Sequence, residues 1–140
     1  MTEVTLKRIE GFKFSAKNSQ GHSAILDASK SIGGTEDGLR PMEMLLIGLA
    51  GCSSFDVLHI LKKGRAQVED VQVDVKGERS DGIPSVFEKI HLHFIVSADC
   101  SEAKLQRALN LSMEKYCSAS AMLSKVAEIT HSYELEILSK

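Results

Sequence analysis

Two cysteines are the residues of this chain whose type and placement most favour chemistry. Cys52 lies in an apolar, helix-like segment, and Cys117 follows 65 residues later at the end of a second helical segment. Two thiols on separate buried helices can meet in a folded core. A pair that meets can act as nucleophile and resolving thiol in redox chemistry. The alternative is structural, because free cysteine is among the most buried residue types and often only packs.

Composition narrows the class of protein. The 140 residues, 43% apolar and 26% charged, suit one globular domain over residues 1–140. A net charge of −2 gives no reason to expect nucleic acid or an anionic membrane as a partner. The charged, alternating start is unlike a leader, and Glu43, Asp56 and His59 interrupt the longest apolar run, so we expect no membrane span. Three cysteines without dense spacing are unlike a secreted disulfide scaffold, which favours a cytoplasmic location.

Strand patterns fill the first forty residues, and a long helix follows them. Alternating segments begin near Val4 and Phe12 and resume at His22, with glycine-containing turns between them. Pro41 is placed to open a helix that should run to about Lys63 and stop at Gly64. This helix is apolar nearly all round, so we expect it at the buried centre, partly covered by a second copy in a homodimer.

A second block repeats the order of strands followed by a helix. Alternation predicts strands at 68–76, 90–96 and 129–137. A helix should begin at about Glu102, capped by Asp99 or Ser101, with a further turn of helix at 118–125. The order of elements predicts an α+β fold with two prominent helices.

Polar residues near Cys52 have two interpretations each. Asp56 and His59 follow it by four and seven residues, which places both on its face of a helix. A carboxylate there would raise the pKa of a thiol and a cationic imidazole would lower it. The preferred interpretation is that Asp56 bonds locally and His59 is an ordinary histidine, since helical spacing often pairs residues by chance. Glu43 could serve the site of a partner protomer or cap its own helix.

Other candidate sites are weaker. His91 and His93 share one strand face, but no third ligand stands at a recognisable spacing, so we predict no metal site. Cys100 precedes a helix that could acidify it, although we interpret it as structural. No phosphate loop or dinucleotide motif occurs in the sequence, so we predict no cofactor.

Several of these residues together resemble the OsmC/Ohr family of peroxide-handling proteins. The matching segments are Pro41-Met-Glu, Gly-Leu-Ala-Gly-Cys52 with Asp56, and Lys-Tyr-Cys117-Ser-Ala-Ser. The match looks closest to a less characterised, YhfA-like branch. The resemblance implies antiparallel strands wrapped around two central helices in an intertwined homodimer. It also implies reduction of organic hydroperoxides or hydrogen peroxide by two cysteines, with a dithiol or lipoylated protein as reductant.

The resemblance also assigns roles to residues. It implies that Cys52 attacks the peroxide, that Cys117 closes a disulfide on it, and that Glu43 corresponds to a glutamate opening the first central helix. Aligned on the proline, however, Met42 occupies the glutamate position, and Ser118 stands where studied peroxidases have proline.

The family's activating arginine has no clear counterpart in this chain. No arginine occurs between Ile9 and Leu39, and the nearest substitutes are Lys13, Lys17 and Arg40. Three functions therefore stay open: a Cys52/Cys117 thiol peroxidase, a binding protein for a small apolar ligand without efficient turnover, and a purely structural role for both thiols.

Overall fold

The part of the chain that the structure describes contains two three-stranded sheets, three α-helices, a short 3-10 helix at Lys30–Ile32 and a π-helical turn. The structure is a computed structural model that describes residues 1–139, so Lys140, the last residue of the predicted domain, lies outside the described residues. The chain divides into two units, Met1–Leu45 and the remainder from Leu46 onward. Each unit is described by itself, and a single domain over residues 1–140 stays a prediction.

The first unit is a meander of three antiparallel strands. Strand β1 covers Val4–Glu10, β2 covers Lys13–Asn18 and β3 covers Ser23–Leu26, in the order β1-β2-β3. Gly11 and Gly21 have positive φ angles of 52° and 87° at the two turns, a backbone conformation that glycine adopts without steric cost. The strands lie where the alternating sequence predicts them.

A buried carboxylate organises the loop after β3. Asp27 is 3% exposed, and its carboxylate accepts hydrogen bonds from the Thr35 hydroxyl at 2.5 Å and from the Thr35 amide at 3.2 Å. The amides of Ala28 and Asp37 donate to it at 2.7 and 3.1 Å. The Thr35 hydroxyl, followed by these amides, lowers the pKa of Asp27 to about 2, although burial opposes the shift.

Helix α1 covers Pro41–Lys63, as the proline and glycine signals predict, and begins in the first unit. Every fourth residue of its later part is buried, and this row consists of Leu49, Ser53, Val57 and Leu61. By length and composition α1 could cross a membrane, but the core helices of soluble proteins pass the same test.

The second sheet has the order β4-β5-β6. Strand β4 covers Val68–Arg79, β5 covers Phe87–Ala98 and β6 covers Glu128–Ile137. Phe87 and the alternate β5 side chains from Ile90 onward supply much of the core of this unit: Ile90, Leu92, Phe94, Val96 and Ala98. Strands β4 and β5 are antiparallel, but β5 and β6 are parallel, so the expectation of antiparallel strands fails for this pair.

The parallel pair needs a crossover connection, and three helical segments supply it. Helix α2 covers Glu102–Leu111, a π-helical turn covers Ser112–Tyr116, and helix α3 covers Ser118–Leu123. The Ser101 hydroxyl caps α2 by accepting from the Lys104 amide at 3.2 Å. The predicted α+β class is confirmed by this mixture of elements.

The Asp27 network predicts acid sensitivity in the loop after β3. The folded-state pKa of about 2 lies below the ordinary 3.8, so the stabilisation is complete above pH 3.8 and is lost as the pH falls towards 2. We expect the amides of Thr35 and Asp37 to lose hydrogen-exchange protection over that range. Asp27→Asn should lose the protection at neutral pH, whereas Asp81→Asn, at an exposed turn, should not. Unchanged exchange in Asp27→Asn would contradict this account.

Candidate functional site

Helix α1 places Cys52 and Asp56 on one face, one helical turn apart. Both side chains are half-buried, and the fully buried Ser53 lies between them in the sequence. The row of buried residues fixes which way α1 is rotated, and so fixes where this pair points. The sequence predicts this shared face correctly.

The π-helical turn brings Cys117 to the pair. Its last hydrogen bond runs from the Cys117 amide to the Ser112 carbonyl at 2.8 Å, five residues back. Cys117 then leaves the helical conformation, with φ −72° and ψ 108°, and becomes the first capping residue of α3. Its thiol is 3% exposed and accepts a hydrogen bond from the Ser120 amide at 3.3 Å. Turns of this kind are rare and are frequently found at functional sites.

The two sulfurs meet. Cys52 Sγ and Cys117 Sγ lie 3.4 Å apart, and an Asp56 carboxylate oxygen lies within 4.8 Å of both. All three cysteines of the chain are free thiols in the structure. A disulfide between Cys52 and Cys117 needs the sulfurs to close to about 2 Å, which small side-chain rotations can supply. The prediction that the two thiols approach within reach of each other is confirmed.

Asp56 belongs to this cluster, so the preferred interpretation that it bonds only locally is wrong. Its Oδ2 accepts a hydrogen bond from Ser112 Oγ at 3.2 Å, and Ser112 is fully buried. The same hydroxyl lies 3.2 Å from the Ser53 carbonyl oxygen. Sequence reasoning missed Ser112, because a serine inside a helical pattern gives no sign of its partner.

Burial dominates the electrostatics of Cys117. Loss of solvent raises the pKa of this thiol to about 11, and the neighbouring Cys52 and Asp56 act in the same direction. The hydrogen bond from the Ser120 amide opposes the shift. Cys117 is therefore protonated at neutral pH in the reduced protein.

Asp56, a member of the Cys52, Asp56 and Cys117 cluster, also lines a cavity of about 530 Å³. Cationic or ionisable side chains, His59, Lys63 and Arg107, line it together with apolar residues. Arg107 carries no signal in the sequence, since its position on α2 gives no hint that it lines the same cavity as Asp56.

Glu43 lies in the first turn of α1, where it is exposed. Its Oε1 accepts a hydrogen bond from the Arg40 amide at 2.7 Å, which is the local capping bond that one interpretation expects. A catalytic role for Glu43 stays a prediction. Two of the substitute cations are paired with acids in the first unit: Lys13 with Asp37 at 2.8 Å and Arg40 with Glu36 at 3.7 Å.

The histidine pair on β5 is engaged by β6. Ser132 Oγ bridges the rings, at 2.8 Å from His91 Nε2 and 2.7 Å from His93 Nδ1. Thr130 Oγ1 lies 2.7 Å from the other His91 nitrogen, and Glu134 Oε2 lies 2.7 Å from the other His93 nitrogen. All four ring nitrogens therefore have hydrogen-bond partners within the sheet.

Cys100 lies apart from the described cluster of Cys52, Asp56 and Cys117. It is 5% exposed, and burial, followed by the charge of Asp99, raises the pKa of its thiol. The position of Cys100 before α2 suggested that the helix could lower the pKa of its thiol, but the shift is in the opposite direction.

Fold and site together define a class of small α+β proteins with a dithiol between a long helix and a crossover connection. In the single chain most of α1 is not buried, so the expectation of a helix at the buried centre is not met there. The comparisons with known proteins agree with this class. A family model described as OsmC-like protein matches residues 34–132. Protein YhfA of Escherichia coli (strain K12) is 41% identical over 134 residues, which are 95% of this chain and 97% of YhfA. The chain belongs to the OsmC family, and the resemblance noted from the sequence is confirmed.

Solved structures support the same fold. A hypothetical protein from Aquifex aeolicus VF5 is similar with a TM-score of 0.87 and 34% identity, over 99% of this chain and 98% of that chain. An organic hydroperoxide resistance protein from Legionella pneumophila has a TM-score of 0.73 and 15% identity, with 96% of both chains covered. At that identity the likeness shows the fold alone.

The sulfur geometry predicts selective oxidation. Diamide added to the folded, reduced protein should remove two of the three thiols and join Cys52 to Cys117 within one chain. Thiol titration and mass spectrometry of peptides would identify the bond. Cys100→Ser should still lose two thiols, whereas Cys117→Ser should form no internal bond. Bonds mainly between chains would contradict the geometry.

Proposed function

We propose that this protein is a thiol peroxidase that reduces organic hydroperoxides or hydrogen peroxide through Cys52 and Cys117. The observation that carries the proposal is the 3.4 Å separation of the two sulfurs, because a resolving thiol must reach the oxidised one. Membership of the OsmC family supports it, as does the hydroperoxide-resistance name of the Legionella pneumophila protein with the same fold.

Cys52 is the attacking thiol in this proposal. It is half-buried, whereas Cys117 is 3% exposed, so a peroxide reaches Cys52 more easily. The Cys52 thiolate attacks the peroxide; a sulfur–oxygen bond forms, the oxygen–oxygen bond breaks, and the alkoxide leaves and takes up a proton. The product is a sulfenic acid on Cys52.

Cys117 resolves that sulfenic acid. Its sulfur bonds to the sulfur of Cys52 while the sulfur–oxygen bond breaks and water leaves. The sum is one hydroperoxide and two thiols giving one alcohol, one water and one disulfide. An external dithiol or a lipoylated protein returns two electrons and two protons in a separate step.

The charges around the thiols also support a second candidate function, which is ligand binding. The Asp56 carboxylate is among the causes that raise the pKa of the Cys117 thiol, after burial, and so opposes formation of a thiolate at Cys117. The cavity that Asp56 shares has about 530 Å³ of space and includes the apolar Ile60 and Leu111. An OsmC-fold protein that binds a small apolar ligand without efficient turnover would suit this combination.

Rapid-mixing kinetics with cumene hydroperoxide separates the two candidates. A peroxidase should lose two thiols per chain for one equivalent of peroxide, far faster than an ordinary cysteine. Cys52→Ser should abolish consumption. Cys117→Ser should consume about one equivalent and leave a sulfenic acid that dimedone traps. Cys100→Ser, the matched control, should behave like the unaltered protein.

Two outcomes would contradict the assignment. Dimedone trapping at Cys117 in the Cys52→Ser protein would reverse the roles of the two thiols. Reaction of all three thiols at the rate of an unactivated cysteine would favour the binding protein. Glu43→Gln tests the role that the resemblance gives to Glu43: a slower attack at unchanged folding supports it, and an unchanged rate excludes it.

The proposed working form is a cytoplasmic homodimer. Apolar side chains on α1 are exposed in the single chain, among them Phe55 at 74% and Ile47 at 50%. Large apolar side chains exposed together on one helix are the kind of surface that an interface covers. A second copy is the occupant we propose, because covering α1 removes this apolar surface from water.

Sedimentation should therefore give twice the 15.3 kDa protomer mass at micromolar concentration. Phe55→Glu should weaken association by at least ~10-fold, because an unpaired charge buried at an interface costs more than about 1.4 kcal/mol. The control is Ile83→Glu, which places the same charge on another exposed apolar residue, in the turn after β4. It should leave the sedimenting mass unchanged. A folded monomer in the unaltered protein would exclude the dimer.

A further inference from the structure

We infer that Cys52, Asp56 and Cys117 form a binding site for a thiophilic divalent cation of the Zn²⁺ or Cd²⁺ type in the reduced protein. Each side chain offers one ligand atom, and these atoms lie within 4.8 Å of one another. The site needs only two reduced thiols and a carboxylate, so it does not depend on peroxidase activity.

The separation of the two sulfurs is close to that around a tetrahedral ion. With Zn–S bonds of about 2.3 Å and a Zn–O bond of about 2.1 Å, two sulfurs stand about 3.8 Å apart and each sulfur about 3.6 Å from the oxygen. The sulfurs are 3.4 Å apart, so they need to separate by only a few tenths of an ångström. Two helical segments supply the ligands, α1 with Cys52 and Asp56 and the end of the π-helical turn with Cys117.

The donor set selects the metal. Thiolate ligands favour Zn²⁺ and softer ions, whereas Mg²⁺ and Ca²⁺ require oxygen ligands in larger number. A site made of two sulfurs and one carboxylate should therefore bind Mg²⁺ and Ca²⁺ poorly. On binding, each thiol gives up its proton to solvent, so one divalent ion replaces two protons.

The supporting contacts resemble those of a metal site. Ser112 Oγ, fully buried, donates to Asp56 Oδ2 at 3.2 Å and so orients the carboxylate. The Ser120 amide donates to Cys117 Sγ at 3.3 Å. Hydrogen bonds of this kind to ligand atoms hold their geometry and tune affinity.

The coordination number is also consistent with this site. Three protein ligands leave one tetrahedral position for water or another small molecule, as in catalytic rather than structural zinc sites. Asp56 lies on the wall of the cavity of about 530 Å³, so one of the three ligand residues borders this cavity.

Metal and disulfide are alternatives at this site. A disulfide sulfur carries no thiolate, so oxidation of Cys52 and Cys117 to a disulfide removes two of the three ligands. Conversely, a bound cation occupies the lone pairs that would attack a peroxide. The reduced cluster can thus be protected from oxidation by the ion.

The test is Cd²⁺ titration of the full-length, reduced, chelator-washed protein without oxygen, followed by the ultraviolet thiolate-to-cadmium charge-transfer absorption. One ion per chain is expected. Cys52→Ser and Cys117→Ser should each weaken binding at least ~100-fold, and Asp56→Asn about tenfold. Cys100→Ser is the matched control and should bind like the unaltered protein. Co²⁺ should give the visible spectrum of a tetrahedral thiolate complex.

A second measurement guards against variants that misfold. Unaltered protein oxidised by diamide should lose Cd²⁺ binding and regain it after reduction. Cd²⁺ binding that survives in Cys52→Ser or in the oxidised protein would overturn the proposed site. A lack of Cd²⁺ binding by unaltered protein in which all three thiols are shown to be reduced would overturn it as well. Peroxide consumption is measured separately on metal-free protein, so failure of either proposal leaves the other intact.

Discussion

One buried hydroxyl connects the two elements that carry the thiols. Ser112 is fully buried in the π-helical turn and reaches α1 at the Ser53 carbonyl and the Asp56 carboxylate, both at 3.2 Å. A hydroxyl group buried at 0% exposure is costly unless it is hydrogen-bonded, so this contact fixes the turn against α1. The position of Cys117, five residues later, follows from it. The 3.4 Å sulfur separation therefore depends on a residue that does no chemistry.

The same arrangement brings a negative charge to the thiols. Asp56 is held in place by Ser112, and the cationic residues that line the shared cavity lie on α1 and α2. A carboxylate beside two sulfurs suits protonated thiols or a bound cation better than a free thiolate.

Much of this could be predicted from the sequence. Pro41 and Gly64 bound α1 correctly, because proline favours the first helical position and glycine the end. The meeting of Cys52 with Cys117 was also predicted, since both lie on helical segments of the core. The contribution of Asp56 could not be inferred, because a spacing of four residues places any such pair on one face, whether or not they share a site. The partner that decides the matter, Ser112, is 56 residues away in sequence.

Two further features lay beyond the sequence patterns. Period-two alternation defines a strand but not its direction, so the parallel pairing of β5 with β6 had no signal. The apolar stripe of Leu105, Ala108 and Leu109 continues to Met113 without a break, which hides the change from α to π geometry at Ser112. The spacing of apolar residues indicates which face of a helix is buried. It does not reveal that one turn contains an extra residue.

That extra residue sets the register of everything after it. In an α-helix each residue advances the direction of its side chain by about 100°, and a π-helical turn absorbs one residue more than an α-turn in the same rise. Deleting a single residue between Ser112 and Tyr116 would restore ordinary helical geometry there and swing Cys117 by roughly a quarter turn. A chain that keeps both cysteines and all its apolar positions, but is one residue shorter here, would have the same fold and no dithiol. A related sequence must therefore preserve the length of this turn as well as the buried hydroxyl of Ser112.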